Sequence, residues 1–243
     1  MATVMVKTEG LTKHYGKLVA LEDFSIEVPR GEVLALVGPN GAGKTTALKL
    51  MVGLLSPTRG QAWIGNFDVQ RQSLEAKRLL SFIPDQPFLY EQLTIAELLG
   101  FLGGVYQMDP ATVEQRAAFL LELFGLEGSL AQRIGQLSYG MRSRLVLVAS
   151  LLHEPEVLMM DEPFFGLDPQ TLRLMKQFLL DRAQAGMTVL LSTHQLGVVE
   201  DVAHRIAVLA QGRLRALGSL DALKQQYGGS RLEELFFRLT ETK

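Results

Sequence analysis

Cysteine is absent from the 243-residue chain. That excludes disulfides, thiolate catalysis and cysteine-ligated zinc. Histidine is scarce, and His14, His153, His194 and His204 stand too far apart to form a metal-ligand spacing. No apolar run approaches the roughly 20 residues needed to cross a bilayer; the strongest, residues 98–106 and 145–152, read as buried core. The first residues lack the basic-then-apolar order of a secretory leader, so a cytoplasmic protein is expected. Excess charge is missing too: 24 Lys and Arg against 26 Asp and Glu leave a net charge of −2. Nucleic acid is therefore not expected as a partner, and nothing in the total advertises an anionic lipid surface. There is no internal repeat, low-complexity tract or long charge run.

What is present suits a sizeable core, with 47% of residues apolar. Short β-like runs at residues 3–7, 20–28 and 33–37 are separated by turn residues such as Gly16, Gly31 and Pro39. A helical pattern follows at 44–55, where Ala47, Leu48, Met51, Leu54 and Leu55 fall at helical spacing. From about 87 to 152 the pattern is helical without strand alternation, with one-sided segments at 111–124 and 139–152. Strand signals return at 157–160, 188–192 and 205–210. Strands alternating with helices predict an α/β protein with a mainly parallel sheet, here interrupted by a helical insertion. A last helical stripe, Leu232, Leu235, Phe236 and Leu239, is expected to pack on its own domain.

Between the third strand and its helix lies Gly38-Pro39-Asn40-Gly41-Ala42-Gly43-Lys44-Thr45, followed by Thr46, which fits the phosphate-loop pattern in full. Its glycines let backbone amides turn inward around phosphates, and the helix N-terminus adds its positive end. Lys44 would reach the β- and γ-phosphates and the Thr45 hydroxyl would ligate Mg²⁺. The motif alone means nucleotide binding, since kinases, GTPases, helicases and transporters all use it.

The apolar run 157–160 delivers Asp161-Glu162-Pro163. A buried strand ending in carboxylates places them at the sheet edge where ligands of such folds bind. Asp161 would hold Mg²⁺ and Glu162 would polarise the attacking water. The alternative is a strand end with two solvated acids. A second apolar run leads to Ser192-Thr193-His194, which puts His194 where a γ-phosphate sensor would sit. By itself such a histidine reads equally well as structural.

Leu137-Ser138-Tyr139-Gly140-Met141, a short polar turn opening a helix, resembles the signature motif of ABC ATPases, whose usual form is Leu-Ser-Gly-Gly-Gln. The order of motifs is similar as well: phosphate loop, helical insertion, signature, the Asp161-Glu162 carboxylates, Gly166-Leu167-Asp168 as the D-loop, and the switch histidine His194. Near the start, residues 11–16 resemble the family's adenine-stacking segment, with Tyr15 as the aromatic. The resemblance runs from about residue 3 to 218. It implies a P-loop NTPase core with an N-terminal antiparallel β subdomain and a helical insertion. The implied division is one ABC ATPase domain, 1–218 (core 1–86 and 153–218, helical subdomain 87–152), and a helical tail, 219–243. It also implies that two ATP-binding subunits close head to tail. Ser138, Tyr139, Gly140 and Met141 of one would then cap ATP on the other. Ser138 also reads as a plain N-cap, and the two roles are compatible.

Closing and opening of the pair would drive a separate polytopic membrane subunit, docked in the groove beside the Q-loop, from the inner face of the cell membrane. The pair is a homodimer in the first reading and a heterodimer in the second. Two positions depart from the family pattern. Tyr139 and Met141 stand where Gly and Gln are usual, while Ser138 and Gly140 are kept. Asp85 occupies the Q-loop glutamine position, with Gln86 one place late; Asp85 is the expected metal-facing residue and Gln86 the alternative. Variants of this kind are familiar in export-type members of the family, so the resemblance implies an exporter. The competing reading is a soluble ABC ATPase of a process such as cofactor assembly.

Overall fold

Three uninterrupted apolar runs organise the chain, because strands covered on both faces must be apolar throughout. In the computed structural model, which describes residues 3–164, 166–229 and 231–240, these runs form β3 (Val33–Val37), β7 (Val157–Asp161) and β8 (Thr188–Thr193), buried at every position. They lie side by side with β6 (Leu80–Ile83), β9 (Arg205–Ala210) and β10 (Arg213–Gly218) in the order β10-β9-β3-β8-β7-β6. All neighbours are parallel except β9 and β10. A second, antiparallel sheet has the order β2-β1-β4-β5, from β1 (Val4–Tyr15), β2 (Leu18–Pro29), β4 (Arg59–Ile64) and β5 (Phe67–Asp68).

Side chains alternate across a strand, and the two cores follow that period. Leu34 and Leu36 of β3 face α1 (Lys44–Met51) and the antiparallel sheet, packing with Leu48, Met51 and Phe24. Val33, Ala35 and Val37 face the other way, onto the later helices. Each fully buried Leu, Val or Phe contributes about 1.5–3 kcal/mol, so β3 is the spine to which both layers attach.

The crossover from β6 to its parallel neighbour β7 is the helical insertion. It holds α3 (Ile95–Val105), α4 (Pro110–Leu123), a 3-10 turn (Ile134–Gln136) and α5 (Tyr139–Leu151). Each α-helix is started by a side chain that accepts orphan backbone N–H groups. Thr94 and Glu97 form a reciprocal capping box for α3, Asp109 precedes Pro110 at α4, and Ser138 caps α5. Before the insertion comes a short helix, α2 (Ser73–Leu79). After it come α6 (Pro169–Gln184), α7 (Leu196–Val202), α8 (Leu220–Tyr227) and α9 (Leu232–Thr240). Leu232 and Leu235 of α9 are buried in the main core, with Phe236 and Leu239 packed against it, so the final stripe covers its own fold. Among the described residues no helix is long and apolar enough to cross a membrane.

Two boundaries differ from expectation, and five elements were not expected. β1 does not stop near residue 7 but runs through Gly10 to Tyr15, with shifts of register that absorb the interruption. The helix expected at 44–55 ends at Met51; Leu54 is exposed and only partly buried Leu55 reaches the core. Strands β4, β5, β6 and β10 and helix α2 were not visible in the pattern, being short, polar or at a sheet edge.

Candidate nucleotide site

Residues 38–43 connect β3 to α1 in a tight loop whose glycines are imposed by neighbouring backbone. A Cβ on Gly38 would lie 2.4 Å from the Leu209 carbonyl oxygen, and one on Gly43 would lie 2.5 Å from that of Ala20. Gly43, at φ +103°, is the residue before the first helical turn. Only a residue without a side chain fits either place. Pro39, Asn40 and Gly41 remain exposed at the loop's outer face, as does Thr45, while Ala42 is buried and Thr46 half-buried. A ring of backbone hydrogen bonds, Ala42 N to Pro39 O at 3.1 Å and Gly212 N to Ala42 O at 3.1 Å, ties the loop to the strands around it.

Lys44 is buried at 7% exposure and folds back over the loop, donating to Gly38 O at 2.7 Å and Pro39 O at 3.3 Å. Burial pushes its ammonium pKa down, and the charges of Glu162 and Asp161 oppose that shift. The sheet thus brings together the lysine and the carboxylate pair singled out in the sequence.

The register between β7 and β8 sets Asp161 opposite Ser192. The Ser192 hydroxyl donates to Asp161 Oδ1, while the Glu162 amide donates to Ser192 O at 3.0 Å and Oγ at 3.3 Å. One serine therefore anchors both acids, a role that adjacency in sequence could not disclose. Glu162 itself adopts φ +49°, an uncommon backbone state for a residue with a side chain and one that clusters at functional sites. Its Oε2 accepts from the His194 amide at 3.3 Å and lies 2.9 Å from His194 Nδ1. Glu162 is largely covered and His194 half exposed, an arrangement with a carboxylate at the site and an imidazole at its mouth.

Asp161 is 1% exposed and its Oδ2 has no hydrogen-bond partner. A buried carboxylate oxygen left unpaired is costly, and a cation or its bound water satisfies it. No group of three His, Cys, Asp or Glu able to hold an ion occurs among the described residues. Mg²⁺ needs only one or two carboxylates and otherwise takes water and phosphate oxygens. The unpaired Asp161 Oδ2 is an oxygen donor of the kind such an ion takes, and the Thr45 hydroxyl is one by chemical type.

Asp85 and Gln86 are both exposed and line a groove of about 800 Å³ with Phe88, Tyr90 and Arg142. Asp85 also lines a small cavity of about 60 Å³ together with Glu162 and Pro163. The structure thus puts Asp85 on the side of Glu162. The groove carries the exposed Phe88 and Tyr90, edge-on at 5.4 Å between centroids, and Tyr90 meets the exposed Phe101, outside the groove lining, at 6.3 Å.

At the start of α5, the Ser138 hydroxyl accepts from Met141 N at 3.3 Å. A Cβ on Gly140 would meet nothing within 4 Å, so that turn is open, whereas Met141 packs against the core. Asp168 is the N-cap of α6: Oδ1 accepts from Gln170 N and Thr171 N, and Thr171 Oγ1 donates to Oδ2 at 2.6 Å. These bonds hold its carboxyl below the usual range. Tyr15 is 47% exposed at the end of the β1–β2 hairpin, with the Lys13 ammonium 5.2 Å from its ring centroid. Ala20 of the same hairpin abuts Gly43, which sets this aromatic on the phosphate-loop side of the molecule.

The profile of a family described as "ABC transporter" matches residues 21–165. The chain is 36% identical over 222 residues to "Probable multidrug ABC transporter ATP-binding protein YbhF" of Escherichia coli, covering 91% of this chain and 38% of that one. It is 33% identical over 231 residues to "Linearmycin resistance ATP-binding protein LnrL" of Bacillus subtilis, covering 95% and 74%. A solved structure, "ATP binding subunit of ABC transporter", superposes with a TM-score of 0.92 at 35% identity and covers 98% of this chain and all of that one. On the family match and these similarities, the chain belongs to the ABC transporter family.

Proposed function

We propose that this chain is an ATP-hydrolysing subunit that works as one half of a head-to-tail pair and drives export through a separate membrane subunit. The observation carrying the reading is the convergence of Lys44, Asp161, Glu162 and His194 at the ends of three adjacent parallel strands, with Lys44 in the field of both acids. Lys44 and the amides of 38–46 hold the phosphates of ATP, and Tyr15 stacks on the base. Mg²⁺, held by Thr45 and Asp161 with Asp85 nearby, would neutralise charge on the β- and γ-phosphate oxygens. Glu162 orients and deprotonates the attacking water. His194, hydrogen-bonded to Glu162, holds that carboxylate and faces the γ-phosphate.

Ser138 and Gly140, with the backbones of Tyr139 and Met141, cap ATP bound to the second subunit. Asp168, fixed at the head of α6, stands at that interface. The aromatic groove beside Asp85 receives the membrane subunit, which places the chain peripherally on the cytoplasmic face. Export is supported by the similarity to proteins named for multidrug transport and for linearmycin resistance.

The test is to isolate the tagged chain from membranes and assay Mg²⁺-dependent ATP hydrolysis, alone and with whatever polytopic chain accompanies it. Turnover that chelation abolishes, with a polytopic companion, is the expected result. Turnover from the soluble fraction without a companion favours a non-transport ATPase, and no turnover in either state overturns the reading.

A further inference from the structure

Tyr139 begins α5 in the helical insertion, yet its ring rests on a different part of the chain. A Cβ placed on Gly166 would come within 3.0 Å of the Tyr139 hydroxyl oxygen, 3.1 Å of Cε1 and 3.4 Å of Cζ. The tyrosine edge therefore sits on the bare α-carbon of Gly166, at φ +72°, four positions after Glu162 and two before Asp168. Tyr139 also closes the small cavity whose other walls include Asp85, Glu162, Pro163 and Leu167, and its ring forms part of the wall of the larger aromatic groove.

The Glu162 turn needs such support. Its first residue holds a left-handed backbone conformation that surrounding structure must maintain. Ser192 and His194 secure the Glu162 amide and carboxylate from β8. Further along the turn, the Leu167 amide reaches Phe164 O only at 3.5 Å, so packing on Gly166 has more to contribute there. A carboxylate that aligns water must be held to a fraction of an ångström, since a displacement of about 1 Å can cost roughly 100-fold in rate.

We infer that Tyr139 is a positioning residue for hydrolysis: its ring, seated on Gly166, holds the turn that carries Glu162. The inference rests on the proposed hydrolytic role of Glu162. Because the same ring walls the groove, displacement of the groove lining reaches the Glu162 turn through one side chain. The glycine at 166 is required first by its left-handed backbone, φ +72°, and the ring lies in close contact with the place a Cβ would take.

Steady-state ATP hydrolysis by the full chain decides the matter, using wild type, Tyr139→Ala, Tyr139→Phe, Gly166→Ala and the Tyr139→Ala/Gly166→Ala double variant, with melting curves to confirm folding. Tyr139→Ala is expected to lower kcat roughly tenfold, with KM for ATP within about twofold. Tyr139→Phe recovers most of that loss, because the aromatic edge on Gly166 remains. Gly166→Ala, strained at φ +72° whatever its neighbours, also lowers kcat, and the double variant loses less than the product of the two single losses, since one contact is counted in both. Should Gly166→Ala not fold, the comparison of Tyr139→Ala with Tyr139→Phe decides alone. A raised KM with kcat preserved in Tyr139→Ala, or single losses that multiply in the double variant, overturns the inference while leaving hydrolysis intact. An inactive wild type overturns the hydrolytic reading and the inference with it.

Discussion

Glu162 Oε2 stands 2.9 Å from His194 Nδ1 and accepts the His194 amide at 3.3 Å, so one carboxylate oxygen is held twice by the residue that ends the neighbouring strand. The imidazole therefore orients the acid. His194→Ala is expected to reduce kcat by about 100-fold or more, with nucleotide affinity nearly unchanged because Lys44 and its loop are untouched. Equilibrium binding of ATP alongside turnover measurements checks both halves of that statement.

Ser192 holds Asp161 Oδ1 and receives the Glu162 amide. Ser192→Ala leaves a fully buried carboxylate with neither oxygen paired among the described residues. The expected cost is about 1–3 kcal/mol in unfolding free energy without ligand, read by urea denaturation. Saturating Mg²⁺ and ATP should restore part of it by binding the native state, and more Mg²⁺ should be needed for half-maximal turnover.

His153 lies at the junction of α5 and the strand that follows, with its ring stacked on Tyr106 at 3.7 Å between centroids. Its Nε2 lies 3.3 Å from Leu80 O, and its buried Nδ1 has no partner. Burial lowers its pKa from 6.5 to about 4, against the opposing pull of the Leu80 carbonyl. The unfolded chain therefore binds more protons than the folded one between these values. This contribution to stability is complete above pH 6.5 and is lost as pH falls toward 4. Melting temperature should drop across that window, and His153→Phe, which keeps an aromatic ring against Tyr106, should flatten the drop. An unchanged slope in the variant contradicts this account.

The phosphate loop, the Asp161-Glu162 pair and His194 were legible because each is a contiguous pattern at the end of a continuous apolar run, and such runs become buried parallel strands. Ser192 was in view as a residue but not as a partner. Its role depends on the pairing that sets it opposite Asp161, and register is not written in either strand alone. Asp168 shows the reverse case. Asp followed by Pro at a helix start is a readable N-cap, whereas the family pattern marks the residue only as part of the D-loop. β4 was missed because Arg59, Gly60 and Gln61 carry no strand alternation. The contact of Tyr139 with Gly166 lies beyond any local pattern, because it joins the helical insertion to the turn after β7.

The central claim is that Glu162 activates water for ATP clamped between two copies or two like subunits. Gel filtration of Glu162→Gln with and without ATP, beside its turnover, tests it most directly. The account predicts that the variant binds ATP, loses at least about 100-fold in kcat, and elutes as a dimer with ATP and as a monomer without it. A Glu162→Gln protein that hydrolyses ATP near the wild-type rate would contradict it.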